Sequence, residues 1–289
     1  MFDGFSQRLI DVDGVTINIR LGGNGPPVLL LHGYPQTHVM WHRVAPMLAQ
    51  EYSVVVADLR GYGDSAKPPT DENHTPYSKR AMALDMARVM DELGFDQFAC
   101  VGHDRGGRVA HRLAADHRDR VSRLVVLDIA PTHHMYAKTD KEFATGYYHW
   151  FFLIQPADFP ERMIGADPEY FLRRKMGHWS ADGAVFDPDA MAEYIRCFSD
   201  PATIHATCED YRASAGIDLE HDEADLGHKL DCPVLALWGG KGLVSRKFDV
   251  LEAWRERAHM VSGMEIDCGH FLAEEAPDET HDALVKFLR

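Results

Sequence analysis

Short runs of β-branched and leucine-rich residues recur along this chain, with stretches of helical periodicity between them. Val28 to Leu31, Val54 to Ala57, Phe98 to Val101, Leu124 to Leu127 and Val234 to Trp238 are apolar without alternation, the pattern of parallel strands covered on both faces. Trp41 to Gln50, Lys79 to Leu93, Arg108 to Asp116, Val250 to Arg257 and Asp278 to Leu288 carry the spaced apolar positions of helices. This alternation predicts a doubly wound α/β fold. Ahead of it, Ile10 to Leu21 alternates apolar and polar residues around Asp13-Gly14, a hairpin signal.

The rhythm lapses between Pro131 and about Asp225. That stretch is rich in aromatics, with Tyr147-Tyr148-His149-Trp150-Phe151-Phe152 at its centre and helical patterns at Pro168 to Met176 and Asp189 to Phe198. It predicts a helical cap over the strand ends. The expected division is a core of residues 1–130, a cap of residues 131–225 inserted before the last two strands, and the rest of the core at 226–289.

Composition narrows the function. The chain has 289 residues, 45% of them hydrophobic, enough to bury a full core. Met1 to Ile10 has neither a basic nor a long apolar leader pattern, and no run of about 18 apolar residues occurs. The expectation is a cytoplasmic protein without membrane contact. Five cysteines, an odd number without tight spacing, suit a reducing compartment. A formal charge of −15 disfavours nucleic acid and anionic membranes as partners. The 17 histidines are scattered, and no HExxH, CxxC or Walker pattern is present. No metal and no cofactor are expected.

The chemistry is concentrated in Val101-Gly102-His103-Asp104-Arg105-Gly106-Gly107-Arg108, which follows a predicted strand and precedes a helical pattern. This is the context of a nucleophile elbow, with aspartate at the position where a serine hydrolase carries serine. Gly102 and Gly106 stand two residues either side of Asp104, where a Cβ would collide with the sharp turn. A carboxylate there can displace a leaving group from saturated carbon and form an ester that water then cleaves. Hydrolysis of that ester needs a base held in its tautomer by an acid. Asp267-Cys268-Gly269-His270-Phe271 supplies the base, His270. The turn Leu237-Trp238-Gly239-Gly240-Lys241-Gly242 holds no carboxylate, so the orienting acid is assigned one strand earlier, to Asp128.

His32-Gly33-Tyr34-Pro35 follows the strand Val28 to Leu31, in the usual oxyanion-loop position, so the backbone N–H groups of Tyr34 and Arg105 are the expected oxyanion donors. Arg105 and Arg108 are three apart at a helix start, and their guanidinium groups can converge on one substrate carboxylate beside Asp104. Asp58 to Ser65 is read as a structural turn.

With these residues in place the chain resembles the α/β-hydrolase superfamily over nearly its whole length, and more narrowly the haloacetate dehalogenases, fluoroacetate dehalogenase included. The discriminating match is Asp104-Arg105-Gly106-Gly107-Arg108; haloalkane dehalogenases and epoxide hydrolases usually place tryptophan after the nucleophile. The resemblance implies an α/β-hydrolase fold with a mostly parallel sheet and helical cap, a homodimer, and a halide pocket formed by His149, Trp150 and Tyr211. Tyr34 stands where close relatives often have phenylalanine.

The expected activity is hydrolytic dehalogenation of a short 2-haloacid such as haloacetate, with water, to glycolate and halide through a covalent ester on Asp104. An epoxide hydrolase using the same Asp-His-Asp set, with Tyr147, Tyr148 or Tyr211 protonating the opening oxygen, is the enzymatic alternative. A non-catalytic receptor of hydrolase fold that binds a small ligand is the alternative of another class.

Overall fold

Five strands buried along nearly their whole length form the centre of the molecule, because each of the predicted apolar runs meets helices on both faces. The computed structural model describes residues 1–184 and 186–289; residue 185, inside the segment expected as the cap, lies outside the described residues. The strands are β1 (Ser6–Val12), β2 (Val15–Gly22), β3 (Pro27–Leu31), β4 (Ser53–Ala57), β5 (Phe98–His103), β6 (Val121–Leu127), β7 (Val234–Gly239) and β8 (Val261–Ile266). They lie in the order β1-β2-β4-β3-β5-β6-β7-β8. The β1–β2 and β2–β4 pairs are antiparallel and every later pair is parallel. The hairpin turns at Asp13 and Gly14, both with positive φ as a two-residue type I′ turn demands.

The core helices are α1 (Val44–Leu48), α2 (Lys79–Glu92) and α3 (Arg105–Asp116). The helix expected from Trp41 to Gln50 is broken into a single 3₁₀ turn, His38–Trp41, and the short α1. Pro46 accounts for this, since its ring would collide with the carbonyl four residues back in a continuous helix. Conversely, α3 begins three residues before Arg108, because Gly106 and Gly107 are tolerated in its first turn.

Between β6 and β7 the chain forms α4 (Thr132–Ala137), α5 (Lys141–Gly146), α6 (His149–Phe152), α7 (Phe159–Gly165), α8 (Pro168–Trp179), α9 (Pro188–Phe198), α10 (Pro201–Ala215) and α11 (Ile217–Ala224). Three of these start with an Asp-Pro pair: Asp167, Asp187 and Asp200 each accept a backbone N–H from the first turn, and proline follows where no N–H is needed. α12 (Leu243–Lys247) and α13 (Val250–Arg255) make the crossover from β7 to β8, and α14 (Leu272–Glu275) and α15 (Pro277–Leu288) follow β8. Among the described residues no helix is long and apolar enough to cross a membrane.

The chain leaves β3 toward β4 on one side and returns to β5 on the other. The carboxyl ends of β3 and β5 therefore flank a topological switch point, where open α/β sheets bind their ligands. The oxyanion-loop candidate follows β3, and Asp104 follows β5.

Candidate active site

The turn from β5 into α3 places Asp104 in a conformation that side chains rarely adopt, with φ 45° and ψ −114°. Backbone strain of this kind persists only where the surroundings enforce it. Here they do. A Cβ on Gly102 would lie 2.3 Å from the Gly106 carbonyl oxygen, and one on Gly106 would lie 2.4 Å from that of His32. Asp104 is 6% exposed. Burial raises its carboxyl above the ordinary value, against the opposing influence of His270, Arg108 and Arg105.

Asp128 also has positive φ, at 51°, as the chain turns out of β6. Its Oδ1 accepts the Gly239 N–H at 3.0 Å, and its Oδ2 lies 2.6 Å from His270 Nδ1. The carboxylate thus fixes the tautomer in which Nδ1 carries the proton and Nε2 presents a lone pair. That Nε2 is buried and has no protein partner. Burial by itself would lower the imidazole pKa. The hydrogen bond and charge of Asp128, then the charges of Asp104 and Glu275, outweigh burial and raise it. His103, whose ring centroid is 4.5 Å from that of His270, is held well below its ordinary value by burial and stays neutral.

Gly33 brings the loop after β3 onto the nucleophile: a Cβ there would lie 2.5 Å from Asp104 Cβ. The next residue is Tyr34, and Arg105 opens α3, so its N–H is one of the helix-start donors without an intrahelical carbonyl. The Tyr34 ring is fully buried. It stacks on His149 at 6.0 Å between centroids and meets the edge of Tyr211 at 5.3 Å. Burial pushes both tyrosine hydroxyls well above their ordinary range, so they stay protonated, and neither hydroxyl has a partner.

Both arginines expected to hold a substrate carboxylate are also held by protein partners. Arg105 is tied to the cap by Asp210: Nε donates to Oδ2 at 2.9 Å and Nη2 to Oδ1 at 2.6 Å. Nη2 also donates to the Asp210 carbonyl at 2.9 Å and to Ser214 Oγ at 2.5 Å. Only Nη1 is left, buried and unpartnered. Arg108 donates through Nη1 to the Ala130 carbonyl and Thr132 Oγ1, at 3.1 and 2.9 Å, and through Nη2 to Met135 Sδ at 3.2 Å, which leaves Nε unpartnered. The two guanidinium carbons lie over aromatic faces, Arg105 4.1 Å from the Tyr211 centroid and Arg108 4.7 Å from that of Trp150.

His149, Trp150 and Tyr211 come from α6 and α10 and are each no more than 2% exposed. His149 and Tyr211 are 5.4 Å apart between centroids. Burial, reinforced by the nearby Lys175 and Arg105 cations, lowers the His149 imidazole well below its ordinary value, so it is neutral; its Nδ1 is unpartnered.

Two residues at the site escaped the sequence reading. Asp210 stands directly before Tyr211 in the segment that supplied the tyrosine, and its partner lies 105 residues away. Trp179, the last residue of α8, packs 4.6 Å from His149 and 5.4 Å from His270 with its indole nitrogen buried and unpartnered. Tyr148, one of the candidate proton donors, is 43% exposed and turns its face to Lys175, 3.3 Å away.

Among the described residues, one group of metal-ligand type, Glu161, His205 and Glu209, gathers its ligand atoms within 4.8 Å. It lies on the cap, and Arg212 Nη1 already donates to both carboxylates at 2.7 Å. That cation fills the place a metal ion would take.

The sequence matches the profile of the alpha/beta hydrolase fold over residues 26–277. It is 50% identical to a fluoroacetate dehalogenase of Burkholderia sp over 289 residues, covering all of this chain and 95% of that one. It is 36% identical to a soluble epoxide hydrolase of Corynebacterium sp. (strain C12), covering 96% and 94%. A crystal structure from Nostoc sp PCC 7120, provisionally described as an alpha/beta hydrolase, superposes with a TM-score of 0.99 at 61% identity, covering 100% of this chain and 99% of that one. The chain belongs to the alpha/beta hydrolase fold family.

Proposed function

We propose that this protein hydrolyses the carbon–halogen bond of short 2-haloacids such as fluoroacetate and chloroacetate. The observation that carries the reading is the pair of buried guanidinium groups beside Asp104, each with an unpartnered N–H. A buried donor left unpaired costs about 1–3 kcal/mol, and a substrate carboxylate would satisfy both while offsetting the repulsion between its charge and that of Asp104. The 50% identity to a fluoroacetate dehalogenase supports the same substrate class.

An oxygen of Asp104 attacks the carbon bearing the halogen, the carbon–halogen bond breaks, and the halide leaves toward the hydroxyl of Tyr211 and the ring N–H groups of His149 and Trp150. Alkylation removes the charge of Asp104. Because that charge is one of those raising the His270 pKa, ester formation shifts His270 toward its neutral, proton-accepting form when it is needed. His270 then takes a proton from water, hydroxide adds to the ester carbonyl, and the N–H groups of Tyr34 and Arg105 stabilise the oxyanion. Collapse releases glycolate and regenerates the Asp104 carboxylate.

The epoxide hydrolase reading shares the Asp104, His270 and Asp128 set and has the 36% identical relative in its favour. A neutral epoxide would leave the two guanidinium donors unsatisfied, which ranks it second. Halide release from fluoroacetate and chloroacetate, assayed beside styrene oxide, tests the choice; turnover of only the epoxide overturns it. Single turnover in oxygen-labelled water should place the label in Asp104, and label entering glycolate alone would exclude the ester. The homodimer implied by the resemblance and a cytoplasmic location belong to the same proposal, tested by sedimentation velocity and cell fractionation.

A further inference from the structure

The loop that carries His270 is gripped from the cap side as well as from the core. The His270 N–H donates to the carbonyl of Trp179 at the end of α8, at 2.9 Å. The neighbouring Gly269 approaches the cap backbone so closely that a Cβ would lie 2.3 Å from the Ala181 nitrogen. Glu275, at the end of α14, closes the joint: Oε2 accepts the Ala181 N–H at 2.8 Å and the Gly269 N–H at 2.9 Å, while Oε1 accepts the Phe271 N–H at 2.9 Å. One carboxylate thus takes three backbone donors, one from the cap and two from either side of the catalytic histidine. The preceding residue extends the same joint, since buried Glu274 accepts from Gln36 in the loop after β3 and from Tyr194 of α9 at 2.9 Å.

We infer that Glu275 is a positioning residue for ester hydrolysis, clasping the His270 loop to the cap so that the base is in place only while the cap is seated. The inference rests on the assignment of Asp104 as nucleophile and His270 as base. Its physical basis is threefold. Hydrogen bonds to a carboxylate are stronger than neutral ones. The donors are backbone groups, so they fix the loop rather than a side chain. The negative charge also acts on the imidazole, whose other ionisable or polar neighbours are Asp128, Asp104, His103, His149, Tyr147 and Trp179. Glutamine at this position keeps the shape, loses the charge and turns an NH₂ toward at least one donor. Aspartate keeps the charge and shortens the reach.

The test uses Glu275→Gln and Glu275→Asp in the full chain, each checked for folding by thermal unfolding. Without substrate, NMR titration of His270 in Glu275→Gln should move to lower pH than in the wild type, and the amides of Gly269, Phe271 and Ala181 should lose exchange protection together. Glu275→Asp should titrate close to the wild type. In single turnover with chloroacetate, alkylation of Asp104 should stay within about twofold of the wild type, while hydrolysis slows by about tenfold or more, as expected for a displaced base, and the ester accumulates. An unchanged His270 titration with unchanged amide protection, or an equal slowing of both steps, overturns the clasp. If Glu275→Gln does not fold, Glu275→Asp carries the kinetic arm, and slower hydrolysis with unchanged alkylation is required of it. If the wild type forms no ester with any haloacid, the haloacid reading fails, while titration and exchange still decide the clasp.

Discussion

Asp210 of the cap binds Arg105 of the core through both carboxylate oxygens, with neither side chain exposed to solvent. The same carboxylate accepts from Tyr62 at 2.6 Å and from Lys79. Burial works to raise the Asp210 carboxyl, but the Arg105 and Lys79 cations overcome it and hold the group well below the ordinary carboxylate range. The pair therefore does two things: it joins α10 to the start of α3, and it leaves a single guanidinium nitrogen, Nη1, without a protein partner.

Replacing Asp210 with asparagine leaves a buried cation without its partner. Breaking such a pair costs about 3–5 kcal/mol, so denaturant unfolding at neutral pH should show a loss of that order, and the KM for haloacetate should rise more than kcat falls. The stability from a depressed carboxyl is present above its unfolded pKa, about 3.9, and is lost as pH falls through the folded value. The gap between wild type and Asp210→Asn should accordingly narrow below about pH 4. A gap that is constant with pH would show that the charge of Asp210 contributes nothing.

Asp104→Asn mimics the uncharged state of the ester. Because the Asp104 charge helps to raise His270, the substitution should lower the pH at which His270 titrates, read by NMR on histidine-labelled protein. The sign also predicts how hydrolysis of the trapped ester depends on acid: it disappears as pH falls through the His270 value of the ester state, which lies below that of the free enzyme. An identical titration in wild type and variant would remove the electrostatic link between the two steps.

Trp150→Phe removes one N–H from the proposed halide pocket while keeping an aromatic face for Arg108, whose guanidinium carbon is 4.7 Å from the indole centroid. Fluoride is the poorest leaving group among the halides and gains most from donors that act as the bond breaks. Fluoroacetate turnover should fall further than chloroacetate turnover, by about tenfold or more for a donor acting in the transition state. Equal losses would make Trp150 a shaping residue only.

Lys175 is buried without a hydrogen-bond partner, its ammonium over the face of Tyr148. Burial lowers its pKa to about 7. A lysine depressed in the fold binds fewer protons there than in the unfolded chain, so its penalty is complete below about pH 7 and fades as pH rises toward its unfolded value of about 10.4. Lys175→Met should therefore unfold at a higher temperature than the wild type at pH 6, with the advantage shrinking by pH 9. A pH-independent difference would contradict the titration.

What was legible in the sequence acts over a few residues. Each predicted central strand formed where a short apolar run lay, because a strand buried on both faces needs no partner to be recognised. The aspartate in the elbow and its glycines are adjacent in the chain, and the turn they impose follows from local sterics. The helix break at Pro46 was equally local, and its signal was present. By contrast α10 and α11 were missed although Asp200-Pro201 announced a helix start. Glu209, Asp210 and Arg212 are buried in α10 through ion pairs, and such pairs erase the apolar stripe by which an amphipathic helix is read.

The sequence by itself determined the parallel sheet, the strained aspartate after β5, the histidine and second aspartate that follow later strands, and the placing of an aromatic helical segment between β6 and β7. These depend on periodicity, turn chemistry and the order of elements. Only the tertiary structure decided that Arg105 is paired with Asp210, that Trp179 packs against both the His149 and His270 rings, and that Glu275 accepts N–H groups from Gly269, Phe271 and Ala181. A charged side chain reads the same in sequence whether it meets water or a partner a hundred residues away; the fold supplies the distance, and with it the desolvation and the partner that give the charge its role.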